Sequence, residues 1–155
     1  MASNASQEIR TVDIRLIHFF RKISIPAARI GLFVIFFWFG LLKLLGLSPA
    51  APLVEQLYHQ TISFVDFQIF YIGFACFEML IGLLFLIKGM ERTVLPLLLI
   101  HMITTFLPLF MVPEITWQSA FVPTLEGQYI IKNLVIIAAA IGIAAHLHPL
   151  KKEAK

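Results

Sequence analysis

The chain has 155 residues, of which 59% are hydrophobic and 14% are charged, and its mean hydropathy is +0.89. Soluble domains have about 45–50% apolar and about 25% charged residues, so this composition indicates a membrane protein, and the length allows one domain. The net charge of +3 comes without a repeated basic and aromatic pattern, which argues against nucleic-acid binding. The single cysteine, Cys76, excludes an intramolecular disulfide.

The first 24 residues are predicted to form a short tail and an amphipathic helix. Between Ile9 and Ile23, apolar residues recur every three or four positions, and Arg and Lys residues lie between them. This spacing is typical of a helix that lies on a membrane surface, although a helix packed against the end of its own domain has the same pattern. Pro26 suits the first turn of a helix, so we expect a separate helix to begin there.

Four apolar segments follow, and each is long enough to cross a bilayer, because about 20 helical residues span ~30 Å. We expect a short interfacial helix between the first two segments, a helix cap at Asp66, and a loosened third segment at Pro108. The predicted fold is all-α: an integral membrane four-helix bundle with an N-terminal amphipathic interfacial helix. The bundle is predicted to cover residues 25–150, with spans at 27–47, 67–87, 95–112 and 128–147, and a basic tail at 151–155.

Basic residues flank the predicted bundle at one end. Four spans place both termini and the turn after the second span on the same side. The connections on the opposite side, residues 48–66 and 113–127, contain no Lys or Arg. The positive-inside rule therefore predicts cytoplasmic N- and C-termini. The basic residues on that side are Arg10, Arg15, Arg21, Lys22, Lys88, Arg92, Lys151, Lys152 and Lys155.

Glu78 is the one acidic or basic residue within the second span, and it lies near the middle. An acidic group at that depth costs about 2.5–3.5 kcal/mol to insert, so it must face protein or water. On a helix, Tyr71, Ala75, Glu78 and Gly82 share one face, and the other segments have to cover this stripe. The alternative to a functional pocket is a neutral carboxyl group that hydrogen-bonds to a neighbouring helix.

Other polar residues are expected near Glu78. Lys43 and Lys132 reach similar depths from the outer side, and either they turn inward, one or both pairing with Glu78, or they extend to the outer interface. His101 lies close to the depth of Glu78, but a histidine in a helix bundle is more often structural, and one His beside one Glu falls short of a metal site. The predicted pocket residues are Lys43, Glu78, Lys132, His101, Asn133, Trp38, Gly40 and Tyr71, and no catalytic residue is assigned.

The positive charge in the outer half predicts a pocket that opens to the outer side and takes an electron-rich ligand. A small anion, a quinone headgroup and a lipid phosphate all fit this description. No cofactor is assigned, and quinone is the candidate. The lipid bilayer is the expected partner, with a second copy of the chain as a further candidate.

Three short motifs resemble the DoxX-like superfamily of small four-helix membrane proteins. They are Trp38 to Lys43 in the first span, Glu78-x-x-x-Gly82 in the second, and Leu125 to Asn133 at the start of the fourth. The first motif, together with the loop from Pro113 to Pro123, is most similar to the YkgB-like branch, which includes the inner-membrane protein of a reactive-chlorine-resistance operon.

The resemblance implies a bacterial inner-membrane protein that is linked to oxidative or electrophile stress, or to membrane redox chemistry. It also implies a membrane or cytoplasmic redox partner protein. By this resemblance, Lys43, Glu78 and Lys132 correspond to the polar positions of the family's motifs. A quinone-reactive subunit of an oxidoreductase is the alternative, and a scaffold or a small transporter are others. Nothing in the residues indicates a stand-alone enzyme.

Overall fold

The computed structural model describes residues 2–62 and 64–148, with side chains from residue 7 onward. The predicted tail at 151–155 lies outside the described residues. These residues form eight helices and one antiparallel pair of short strands. The elements are α1 (Ala2–Leu44), α2 (Ala51–Thr61), α3 (Phe67–Leu86), α4 (Glu91–Phe106), α5 (Pro108–Met111), α6 (Pro113–Thr116), β1 (Trp117–Ser119), β2 (Val122–Pro123), α7 (Leu125–Lys132) and α8 (Leu134–Ala144).

Four helical segments of the described chain are long and apolar enough to cross a membrane, and each contains most of one predicted span. They are Gln7–Leu44, Phe67–Leu86, Glu91–Met111 and Leu125–Ala144. The all-α class is therefore confirmed. The third segment is interrupted between α4 and α5, as the lack of an N–H group at Pro108 predicts. The fourth is interrupted at Asn133, which sequence analysis did not anticipate.

The structure corrects the expectation that a new helix begins at Pro26. Residues 9–23 are helical as predicted, but α1 continues through Pro26 to Leu44 without a break. A proline inside a helix removes one backbone hydrogen bond, and the bonds on either side of Pro26 are enough to keep the helix continuous. At about 1.5 Å per residue, α1 is ~64 Å long, so its N-terminal part extends well beyond a ~30 Å hydrocarbon layer.

Two glycines allow α1 and α3 to pack with their backbones in close contact. A Cβ atom at Gly40 would lie 2.8 Å from the Ala75 carbonyl oxygen, and one at Gly82 would lie 2.7 Å from the Phe37 backbone nitrogen. Both glycines are needed for this approach. The hydrophobic core surrounds the crossing of α1, α3, α4 and α8 and contains Leu32, Phe36, Ile81, Phe85, Leu98, Met102, Ile136, Ala140 and Ile143.

Asp66 caps α3, as predicted. Its Oδ1 atom accepts hydrogen bonds from the backbone N–H groups of Gln68, at 2.9 Å, and Ile69, at 3.3 Å. These bonds satisfy two of the four N–H groups that have no partner within the first turn of a helix.

Replacing Asp66 with Ala is expected to lower the free energy of unfolding by about 0.5–2 kcal/mol, because the cap is lost. Asp66→Asn is the matched control, since an amide oxygen can still accept these bonds. SDS titration of the protein in mixed micelles measures both. Equal losses in the two variants would show that charge, and not capping geometry, is responsible.

Candidate functional site

Three helices bring Lys43, Glu78 and His101 together. Lys43 lies in the last turn of α1, Glu78 lies near the middle of α3, and His101 lies in α4. The close contact of α1 with α3 places the Lys43 side chain beside the polar stripe of α3, and α4 covers the same stripe from the other side. We call these three residues the buried cluster.

Both carboxylate oxygens of Glu78 have partners within the buried cluster. Lys43 Nζ donates to Glu78 Oε2 at 2.6 Å, and His101 Nε2 lies 2.9 Å from Glu78 Oε1. The exposed fractions of Lys43, Glu78 and His101 are 8%, 6% and 4%. A charge-assisted bond inside a low-dielectric environment is stronger than a bond between neutral groups, so the cluster joins three helices at one point.

Thr105 gives the cluster a way to hold two protonation states. Its Oγ1 atom lies 3.2 Å from His101 Nδ1 and 2.9 Å from the His101 carbonyl oxygen, but a hydroxyl group has only one proton to donate. If the hydroxyl donates to Nδ1, His101 is neutral and carries its proton on Nε2, facing Glu78. If it donates to the carbonyl, its oxygen can accept a hydrogen bond from a proton on Nδ1. Both states fit the same heavy-atom positions.

Aromatic rings of α1 and α3 pack around the cluster. The Phe74 ring stacks on the His101 ring with centroids 5.3 Å apart, and the Phe36 ring meets His101 edge-on at 5.2 Å. Lys43 Nζ lies 5.6 Å from the Phe74 centroid, which adds a cation–π contact. Tyr71 is buried two turns from Glu78, and its hydroxyl has no hydrogen-bond partner among the described residues.

The remaining predicted pocket residues lie outside the buried cluster. Gly40 is a packing residue, and Trp38 is exposed on the other side of α1. Lys132 is also exposed, with Nζ 5.0 Å from the centroid of the Tyr129 ring. Asn133 forms the junction between α7 and α8. The inward orientation of Lys132 is therefore wrong, and its position agrees with the alternative in which the amine points away from the core.

Sequence analysis missed the parts played by Thr105 and Phe74. Their spacing was available as a signal, because Thr105 follows His101 by four residues and Phe74 precedes Glu78 by four, which puts each on the same helical face. The structure also differs from the predicted open pocket, since the cluster is closed by its neighbours. Two shallow, open depressions among the described residues lie elsewhere. One, of about 350 Å³, lies beside the β1–β2 hairpin, and the other, of about 220 Å³, lies between α4 and α8.

A second ion pair links α1 to the turn between α3 and α4. Arg29 Nε donates to the Phe85 carbonyl oxygen at 2.7 Å, and the guanidinium also pairs with Glu91. Phe85 is in the last turn of α3, where carbonyl groups have no partner within the helix, and Glu91 begins α4. The Arg29 side chain thus serves as a structural clamp at the opposite end of the bundle from Lys43. Among the described residues, no group of three His, Cys, Asp or Glu side chains could hold a metal ion.

No family model matches this chain, and no curated protein or solved structure is similar enough to count as a match. The class of protein that the coordinates define is an all-α chain with four helical segments that are long and apolar enough to cross a membrane. The resemblance to DoxX-like proteins stays a prediction.

Proposed function

We propose that this chain is a multi-pass protein of the bacterial inner membrane with cytoplasmic N- and C-termini. Support comes from the four long apolar helices and from the distribution of charge. The loops 48–66 and 113–127 contain no Lys or Arg, whereas Lys88 and Arg92 lie at the α3–α4 turn. In this arrangement the exposed N-terminal part of α1 continues the first span and projects from the bilayer on the cytoplasmic side.

We further propose that the buried cluster is the functional centre of a membrane protein that takes part in redox chemistry or in the response to oxidative or electrophile stress. The observation that carries this proposal is the buried pairing of Lys43 with Glu78 near the middle of α3, with His101 on the second carboxylate oxygen. Apolar side chains of similar volume would often hold helices together as well as a buried ion pair does. Ionisable residues inside a membrane-spanning bundle therefore favour a functional role over a purely structural one.

The cluster supplies a site where a proton can be taken up and released. The Thr105 hydroxyl matches the neutral and the cationic form of His101 without moving heavy atoms, as described above. The Tyr58 ring of α2 packs on Phe67 and Phe70 at centroid distances of 5.3 and 5.2 Å, and these residues lie in the first turn of α3, so α2 covers this end of α3. The stress-related role itself comes from the motif resemblance.

The proposal is tested in bacteria that need this protein to survive a reactive-chlorine or electrophile challenge, and the measured quantity is the surviving fraction of cells. Glu78→Gln keeps the size of the side chain but removes the charge that holds Lys43 and His101, so we expect survival to fall to that of cells without the protein. Lys132→Gln is the matched control, because this amine lies outside the cluster, and we expect wild-type survival. Protein levels in membranes are measured in parallel. Equal survival of wild type and Glu78→Gln at equal protein levels would contradict the proposed role of the cluster.

A further inference from the structure

The β1–β2 hairpin is held firmly on the end of the bundle that bears Lys43. Trp117 Nε1 donates to the Leu109 carbonyl oxygen at 2.9 Å, and Thr124 Oγ1 donates to the Ile115 carbonyl oxygen at 2.6 Å. A Cβ atom at Gly127 would lie 2.1 Å from the Thr116 carbonyl oxygen, so the backbone at the base of the hairpin is in tight contact with α7. These contacts join the base of the hairpin to α5, α6 and α7 and leave its tip projecting.

Phe121, at the tip, has two unusual properties. Its φ angle is 61°, in the left-handed region, where a bulky residue is rare and its backbone strained. Its side chain is 94% exposed, so no contact within the described chain compensates for this strain. Turns with positive φ ordinarily use Gly or Asn. Nothing within the described chain accounts for an aromatic residue at this position.

The lengths of the flanking segments place the hairpin at the edge of the hydrocarbon layer. The segment Leu125–Ala144 has 20 residues and would span about 30 Å, so Leu125 lies at the boundary of a ~30 Å layer and the hairpin lies just outside it. No charged residue occurs between Glu114 and Glu126. An uncharged, aromatic projection at this level fits the membrane interface, where aromatic side chains are enriched.

We propose that the hairpin inserts Phe121 into the interfacial region of the outer leaflet and anchors this end of the bundle there. The inference rests on the proposed membrane insertion. It adds a contact between the hairpin tip and the lipid, which insertion of the four spans alone does not require. A further exposed phenylalanine at the same end supports it, because Phe64 lies in the connection between α2 and α3. Because these loops contain no Lys or Arg, their contact with the lipid would be made by apolar and aromatic side chains.

Depth-dependent fluorescence quenching in phosphatidylcholine vesicles tests this inference. Trp38→Phe leaves Trp117 as the remaining tryptophan, and adding Phe121→Trp places a second one at the tip. Lipids are brominated either near the headgroup end of their acyl chains or near the chain ends. After subtraction of the Trp38→Phe signal, the tip tryptophan is expected to lose more fluorescence with the shallow bromine label and to emit at shorter wavelength than tryptophan in water.

A second reporter separates failure of this inference from failure of the proposed function. Val135→Trp, in the Trp38→Phe background, places a tryptophan at an exposed position of α8, about 15 Å from Leu125 along the helix. We expect the deep label to quench it more strongly. If Val135→Trp behaves in this way but the tip is quenched by neither label, the hairpin lies in water or against another protein, and the inference is wrong. If Val135→Trp is also unquenched, membrane insertion itself is contradicted.

Phe121→Asn provides an independent check, because Asn tolerates positive φ and removes only the aromatic ring. In the Trp38→Phe background, Trp117 at the base of the hairpin reports the result. We expect weaker shallow quenching of Trp117 and a shift of its emission to longer wavelength. Unchanged quenching of Trp117 would overturn the anchoring role of Phe121.

Discussion

Replacing Lys43 with Met is expected to lower the free energy of unfolding by about 3–5 kcal/mol, because Glu78 is then left buried without its cation. The two side chains are joined at 2.6 Å and are both more than nine-tenths buried, so water cannot replace the lost partner. The double variant Lys43→Met/Glu78→Gln removes both charges, and we expect it to recover most of the loss. The measurement is SDS titration of the purified protein in mixed micelles, followed by circular dichroism.

Lys132→Met is the matched control for this experiment. It removes the same chemical group from an exposed position, where the amine lies over the Tyr129 ring and pairs with no described carboxylate. We expect a change within about 0.5 kcal/mol, as for other surface substitutions. Equal losses for Lys43→Met and Lys132→Met would contradict the buried pair, and so would a double variant that is no more stable than Lys43→Met.

Replacing Gly82 with Ala is expected to destabilise the protein by about 1–3 kcal/mol, because the added methyl group forces α1 away from α3. The new Cβ atom would lie 2.7 Å from the Phe37 backbone nitrogen and 3.2 Å from the Phe33 carbonyl oxygen, and backbone atoms cannot rotate aside as a side chain can. The same separation weakens the Lys43–Glu78 contact, since it depends on the approach of these two helices.

Gly73→Ala is the control within the same helix. A Cβ atom there has no neighbour within 4 Å, and alanine is favoured over glycine inside a helix by up to about 1 kcal/mol. The control should therefore be as stable as the wild type or slightly more stable. Both variants are measured by the same SDS titration. A loss in Gly73→Ala as large as that in Gly82→Ala would show that the close packing of α1 and α3 is not the cause.

Much of the helical architecture could be predicted because it depends on local composition. Long apolar runs predict helices of spanning length, and the cap at Asp66 and the break at Pro108 follow from the side chains of single residues. Pro26 was misjudged because a proline can either begin a helix or lie inside one, and only the surrounding chain decides. The Asn133 break has no equally clear local signal.

Part of the candidate site could also be predicted, because the position of a residue along a regular helix follows from the local sequence. Regular helix geometry predicts similar depths for Glu78 and His101. It places Lys43 nearer the outer end, with a gap to Glu78 that the lysine side chain would bridge only in part, whereas the structure shows a direct contact. Lys132 was grouped by depth as well, but the side to which it points depends on how α7 packs and on the junction at Asn133. Facing direction is a tertiary property, and one sequence carries little information about it.

The contact between Lys43 and Glu78 in a lipid bilayer is the central claim, and solid-state NMR measures it directly. Protein labelled with ¹⁵N at lysine Nζ and ¹³C at glutamate Cδ is reconstituted in lipid, and dipolar dephasing between the two nuclei is recorded. We expect strong dephasing in the wild type and in Lys132→Met, and its loss in Lys43→Met. Absence of dephasing in the wild type, or its persistence in Lys43→Met, would contradict the buried cluster.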